Sequence, residues 1–190
     1  LVWTQGDAPR GWEATLAESP PHLNEIGPHR GPGGAAQAHA KLARMKARIV
    51  ILGAGSWGTT FAVLASRNAE VSLWARDAAL AAQIDTARHN SRYLPGIALP
   101  GRFAAGHDMA ALVARADVLV MAVPAQGFRA VLRLARPHLR AWVPVISLGK
   151  GLEQGTRRRM TEIIREELPD HPPGVLSGPN LAQEILGGQA

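Results

Sequence analysis

The sequence predicts an α/β protein built on a doubly wound parallel sheet, and three observations carry that prediction. Ile49-Val50-Ile51-Leu52, apolar and mostly β-branched, suits a short buried strand, and it runs straight into Gly53, Gly55 and Gly58 at G-x-G-x-x-G spacing. From Arg48 onward, strand-like apolar runs alternate with amphipathic helical patterns, the order that produces a parallel sheet with right-handed crossovers. Val118 to Val123 is apolar without interruption, as a central parallel strand buried on both faces must be.

Each element can be justified in turn. The first strand is Ile49–Leu52. The three glycines after it have separate tasks: Gly53 turns the chain out of the strand, Gly55 lets backbone approach a pyrophosphate, and Gly58 lets the next helix pack on the strand. That helix is expected from Ser56 to about Arg67, with its free N–H groups and positive dipole end facing the phosphates. A second strand follows at about Glu70–Trp74, then a helix near Ala78–Thr86. Arg88 to Gly101 holds Asn90, Pro95, Gly96 and Pro100 and reads as a loop. Arg102–Ala104 belongs to a third strand, Met109–Ala114 is helical, and Pro124 ends the Val118–Val123 strand. Gln126–Leu139 is helical, Val143–Ser147 a buried strand, Thr156–Leu168 helical, Gly174–Leu176 a short strand, and Pro179–Leu186 opens a helix.

Residues 1 to 44 are different: 6 Gly and 5 Pro, no apolar run and no sustained period. Such a stretch cannot bury enough surface to offset its ordering entropy. It is expected to be a disordered or non-native N-terminal extension, with Met45 the natural start of a dinucleotide-binding domain over 45–190.

Composition narrows the function classes. Apolar residues make up 46% of 190, enough for a real core, yet no apolar run nears the ~18 residues of a membrane span. There is no cysteine, so disulfide and thiolate chemistry are excluded, in keeping with a cytoplasmic location. The seven histidines lie at no metal-ligand spacing, and no metal is expected. The net charge is +6, but its densest run, Arg157-Arg158-Arg159, precedes Glu162, Glu166 and Glu167 and reads as a solvated helix face rather than a nucleic-acid arm. Arg129, Arg133, Arg136 and Arg140 recur beside Phe128, Leu132, Ala135 and Leu139, and read as the wet side of an amphipathic helix.

In an open parallel sheet, ligands bind beyond the carboxyl ends of the strands. The segments that matter are then Gly53–Gly58, Ala75-Arg76-Asp77, Val123-Pro124-Ala125, Leu148-Gly149-Lys150-Gly151 and Ser177-Gly178-Pro179-Asn180. Lys150, between glycines after a buried strand, is a point positive charge able to steady a phosphate or a carbonyl oxygen gaining charge. Arg76 stands where a carboxylate would hold the ribose 2′-OH in an NAD-preferring domain, and a guanidinium there suits a 2′-phosphate. NADPH is therefore expected over NADH, with NADH still accommodated. Asp77 has three uses open to it: pairing with Arg76, reaching the ribose, or capping the next helix, which is the commonest.

Five stretches together resemble the NAD(P)-dependent glycerol-3-phosphate dehydrogenases, bacterial type: Gly53 to Thr59, Asn90 to Gly96, Ala122 to Ala125, Ser147 to Glu153 and Ser177 to Ala182. The resemblance implies a Rossmann cofactor domain in an oxidoreductase that reduces dihydroxyacetone phosphate to sn-glycerol 3-phosphate for glycerophospholipid synthesis. It implies cofactor contacts at Gly53, Ala54, Gly55, Ser56, Trp57, Gly58, Arg76, Lys150 and Ala182, and substrate contacts at Lys150, Gly178 and Asn180, where the family usually has Ser or Thr. The family's general acid/base lysine lies on a helical domain beyond Ala190, so no catalytic residue is expected here, and the chain is expected to be a fragment that binds cofactor weakly without turnover. Its partners are a small-molecule substrate and no nucleic acid, with homo-oligomerisation left open. The alternatives are another Rossmann dehydrogenase of the hydroxyacid or ketopantoate type, which should lack the Asn90–Gly96 and Ser177–Pro179 signatures together, and a non-catalytic nucleotide-binding module.

Overall fold

A computed structural model describes residues 46–178 and 182–187. β1 (Arg48–Leu52), β2 (Glu70–Trp74), β5 (Phe103–Gly106), β6 (Val118–Met121), β7 (Val145–Ser147) and β8 (Pro173–Val175) form one sheet in the order β5-β2-β1-β6-β7-β8. Every neighbouring pair in it is parallel. The strand order reverses between β1 and β6, so the sheet is doubly wound and its switch point lies at the carboxyl end of β1.

The helices are α1 (Ser56–Ala65), α2 (Ala78–Ala82), α3 (Met109–Val113), α4 (Ala125–Ala135), α5 (Met160–Glu167) and α6 (Ala182–Leu186). They cover both faces, which is why β6 and, after Arg48, β1 are apolar. Alternation in β1 sends Val50 and Leu52 into one core with Phe128, Leu132 and Ile163, while Ile51 joins a second core with Val63, Leu73 and Phe103. At the amino edge of the sheet, Asp117 accepts from the Arg48 guanidinium (2.8 and 3.0 Å), the Arg48 backbone N–H (3.0 Å) and Arg140 Nη2 (2.7 Å). These bonds hold its carboxyl well below the usual carboxylate range.

Several expected elements are corrected. The Arg88–Gly101 stretch is not all loop: β3 (His89–Asn90) and β4 (Leu94–Ala98) pair antiparallel within it. The helix after β2 becomes a π-helical turn over Gln83–Ala87, closed by Arg88 in the left-handed region (φ 54°). The central apolar run leaves the strand at Met121, before Pro124, and the strand expected from Val143 begins at Val145. The helix expected from Thr156 begins at Met160, because Arg157 is left-handed (φ 59°) and the Arg159 N–H is capped by Glu162 Oε2 (2.8 Å). The arginine run thus precedes the helix rather than decorating it. Strand β8 is shifted to Pro173–Val175, and the final helix is described from Ala182.

Candidate functional site

The glycine loop is built as its spacing demands. Gly53 has φ +117°, and a Cβ there would sit 2.4 Å from the Ala122 carbonyl oxygen, so both its turn and its surroundings need glycine. At Gly58 a Cβ would stand 1.9 Å from the Gly53 oxygen and 2.9 Å from Ala122 Cβ. Helix α1 therefore presses directly on the β1 turn and on the segment after β6. Gly55 differs in kind: its φ is −71°, open to any residue, and nothing lies within 4 Å of where its Cβ would be. Its missing side chain leaves a cradle beside the start of α1, whose first turn has no side-chain cap. Backbone N–H groups at such an end, with the helix dipole behind them, suit an anion. The residues present thus fit a pyrophosphate.

Asn90 locks this loop from the β3–β4 hairpin. It is fully buried, and its Nδ2 donates to the Ala54 carbonyl (3.0 Å) and to Thr59 Oγ1 (2.8 Å), while Oδ1 accepts from the Tyr93 N–H (3.2 Å). A cleft of about 400 Å³ opens over the loop at the switch point. Its floor is Gly53–Gly55 and Ala122–Pro124, and one wall is Trp74–Asp77 with Leu80, Arg92 and Tyr93. Gly127 and Val131 of α4 form the other.

The expected site residues separate on this frame. Gly53, Ala54, Gly55 and Arg76 line the cleft. Asp77 caps α2, its Oδ1 accepting from Ala79 N–H (2.8 Å) and Leu80 N–H (3.1 Å), and its Oδ2 lies 3.9 Å from Arg92. The commonest of its three uses is the one it has. Ser56 and Trp57 open α1, but the Trp57 indole packs against Phe61 with ring centroids 6.3 Å apart and does not line the cleft. Gly58 is buried behind the loop as a packing residue. Lys150 is exposed after β7, and its Nζ donates to the Gly178 carbonyl (3.1 Å), which brings two of the expected substrate residues together outside the cleft lining. Ala182 packs at the edge of the second core, and Asn180 lies outside the described residues.

Sequence reasoning missed Arg92, Tyr93 and the α4 wall. Arg92 and Tyr93 sit within the quoted Asn90–Gly96 stretch, so the signal was present without a position for it. Of the arginines expected on a wet helix face, Arg129 alone needs correction. It is only 19% exposed and reaches Glu153, Glu166 and Glu167, while Arg133 remains 61% exposed. Among the described residues no three His, Cys, Asp or Glu side chains gather as a metal site, and no helix is long and apolar enough to cross a membrane.

Comparison with known proteins bears on this geometry. The family description "NAD-dependent glycerol-3-phosphate dehydrogenase N-terminus" matches residues 48–190. A glycerol-3-phosphate dehydrogenase [NAD(P)+] of Sphingopyxis alaskensis is 58% identical over 146 residues, which are 77% of this chain and 44% of that protein. One from Mycobacterium tuberculosis is 48% identical over 144 residues, 75% of this chain and 42% of that one. The crystal structure of a glycerol-3-phosphate dehydrogenase from Coxiella burnetii superposes with TM-score 0.68 at 34% identity, covering 75% of this chain and 44% of that one. The chain spans less than half the length of these relatives.

Proposed function

The chain belongs to the NAD-dependent glycerol-3-phosphate dehydrogenase family, and from that premise we propose that it supplies the cofactor-binding part of an enzyme that interconverts dihydroxyacetone phosphate and sn-glycerol 3-phosphate. The observation that carries this reading is Gly55, a glycine required by neither conformation nor packing, beside an uncapped helix start. A nicotinamide dinucleotide held there would supply the hydride. The first turn of α1 binds its pyrophosphate, and Arg76 meets the adenosine ribose.

Lys150 and Gly178, joined by their hydrogen bond, lie beyond the carboxyl ends of β7 and β8, where a phosphorylated three-carbon substrate would meet the nicotinamide end. A lysine there offers a compact positive charge to phosphate or carbonyl oxygen. Asn180 offers a donor and an acceptor to the same substrate. A role in supplying glycerophospholipid synthesis, in the cytoplasm, with a small-molecule substrate and no nucleic-acid partner, belongs to the same reading.

NADPH is the preferred cofactor. Arg76 lines the cleft, while the adjacent carboxylate of Asp77 is spent on the α2 cap and on Arg92. Arg76→Ala should raise the dissociation constant for NADPH by roughly tenfold or more, the weight of a charge-assisted contact, and that for NADH far less. Equal losses for both would assign Arg76 to the shared adenosine alone.

A further inference from the structure

We propose that Arg129, together with Gln126, is the positioning residue for Lys150, so that a single helix, α4, aligns the cofactor cleft with the lysine loop. This rests on the reading of Lys150 as a cofactor- and substrate-facing group.

The loop from Leu148 to Arg159 has no helix or strand of its own. It contains Gly151 and Gly155 at φ +90° and +86°, left-handed Arg157, an isolated bridge between Leu152 and Arg159, and a turn in which the Arg157 N–H donates to the Glu153 carbonyl and the Glu153 N–H to the Arg158 carbonyl (2.9 Å each). Among the described residues Lys150 itself makes one hydrogen bond, to Gly178. A chain of this kind is entropically costly to fix.

Helix α4 fixes it from outside. Gln126 Nε2 donates to the Leu152 carbonyl (3.1 Å) and its Oε1 accepts from the Gln154 N–H (2.9 Å). The Arg129 guanidinium forks onto Glu153, Nε to Oε1 and Nη2 to Oε2, both at 2.8 Å. The residues clasped, Leu152 to Gln154, begin two positions after Lys150. Arg129 is itself held by Glu166 (2.8 Å) and by Glu167 (2.6 Å), and Arg133 binds Glu167 from the next turn. Glu167 is 9% and Glu153 15% exposed, so these are shielded charges with paired geometry, not loose surface pairs. The same helix turns its other side to the cofactor: Pro124, Gly127 and Val131, at i, i+3 and i+7, line the cleft. Two opposite faces of one helix thereby set the distance between the dinucleotide and the lysine.

The test uses the full chain with Glu153→Gln, which keeps shape but removes the charge and one of the two acceptor oxygens of the Arg129 fork, and Arg129→Met and Arg129→Lys beside it. The sequence has three lysines, Lys41, Lys46 and Lys150, so competitive acetylation with acetic anhydride reads Lys150 against exposed Lys46. Without ligand, Glu153→Gln and Arg129→Met should raise amide exchange over residues 151–158 by about tenfold or more, the loss of a charge-assisted contact. Relative Lys150 acetylation should rise with it, Arg129→Lys should recover part of both, and exchange in β1 and β6 should be unchanged. Unaltered Lys150 acetylation in both Glu153→Gln and Arg129→Met would overturn the proposal. Adding NADPH to the wild-type chain tests the underlying reading separately. Protection of both the glycine loop and Lys150 supports it. Protection of the glycine loop alone overturns the cofactor-facing role of Lys150 and leaves the unliganded measurements to decide the positioning.

Discussion

The glycine loop and the Lys150 loop both follow parallel strands at the carboxyl edge of the sheet, and both are glycine-rich, yet they are held in opposite ways. The glycine loop is fixed by close backbone contact and neutral hydrogen bonds: Gly58 against the Gly53 oxygen, Gly53 N–H to the Trp74 carbonyl (3.1 Å), and buried Asn90 on Ala54 and Thr59. The Lys150 loop is fixed by carboxylates and guanidiniums from two helices. Contact packing at Gly53 and Gly58 leaves no tolerance for an added atom, so the backbone on either side of Gly55 is held closely. Ionic clasping is directional but responds to pH and salt.

The sharpest way to break the glycine loop's side of this contrast is Gly58→Ala. A methyl group 1.9 Å from a backbone oxygen forces α1 off the sheet, at a cost of about 3 kcal/mol read as a lower denaturation midpoint. The equivalent Ala at Gly151 has open space around its Cβ and only a positive φ to strain it, so its cost should be about 1 kcal/mol. Asn90→Ala comes next. It leaves the Ala54 carbonyl and the Thr59 hydroxyl without their buried donor, and should cost about 2 kcal/mol in urea unfolding.

The smallest effect sharpens the ionic side. Hydrogen bonds from Arg129, then from Thr156, pull the Glu153 carboxyl down to about 2 from its ordinary 4.5. The folded value lies below the unfolded one, so the stabilisation is complete above about pH 4.5 and is lost as pH falls toward about 2. Glu167, drawn down chiefly by Arg133, acts in the same direction. Wild-type thermal midpoints should fall across that window, and those of Glu153→Gln should fall less. Identical acid profiles would mean that the clasp contributes nothing to stability.

The same contrast explains what was legible in the sequence. The glycine loop could be read because its requirements are local: a strand, a turn, a helix start, each within ten residues. The six sheet strands and their carboxyl-end loops followed from apolar runs and their spacing. The β3–β4 hairpin could not be read, because a two-residue strand facing a Pro95–Gly96 strand has the composition of a loop. The Arg129 clasp was hidden for another reason. Helical periodicity shows that a face is polar but not what it faces, and the partners of Arg129 lie 24 to 38 residues away. Nor does periodicity show that a helix begins after its arginines, since Arg157 leaves the pattern through a backbone angle.

The cradle at Gly55 tests the account most directly. NADPH titrated calorimetrically into the wild-type chain and into Gly55→Trp, with circular dichroism and thermal midpoints recorded for both, separates ligand space from fold. A Cβ at Gly55 meets nothing within 4 Å and the backbone φ of −71° suits any residue, so the midpoint and spectrum should be retained while affinity falls by about a hundredfold or more, as the indole fills the pyrophosphate's place. Equal NADPH affinity in the two proteins, with both folded, would contradict the assignment of this loop as the dinucleotide site.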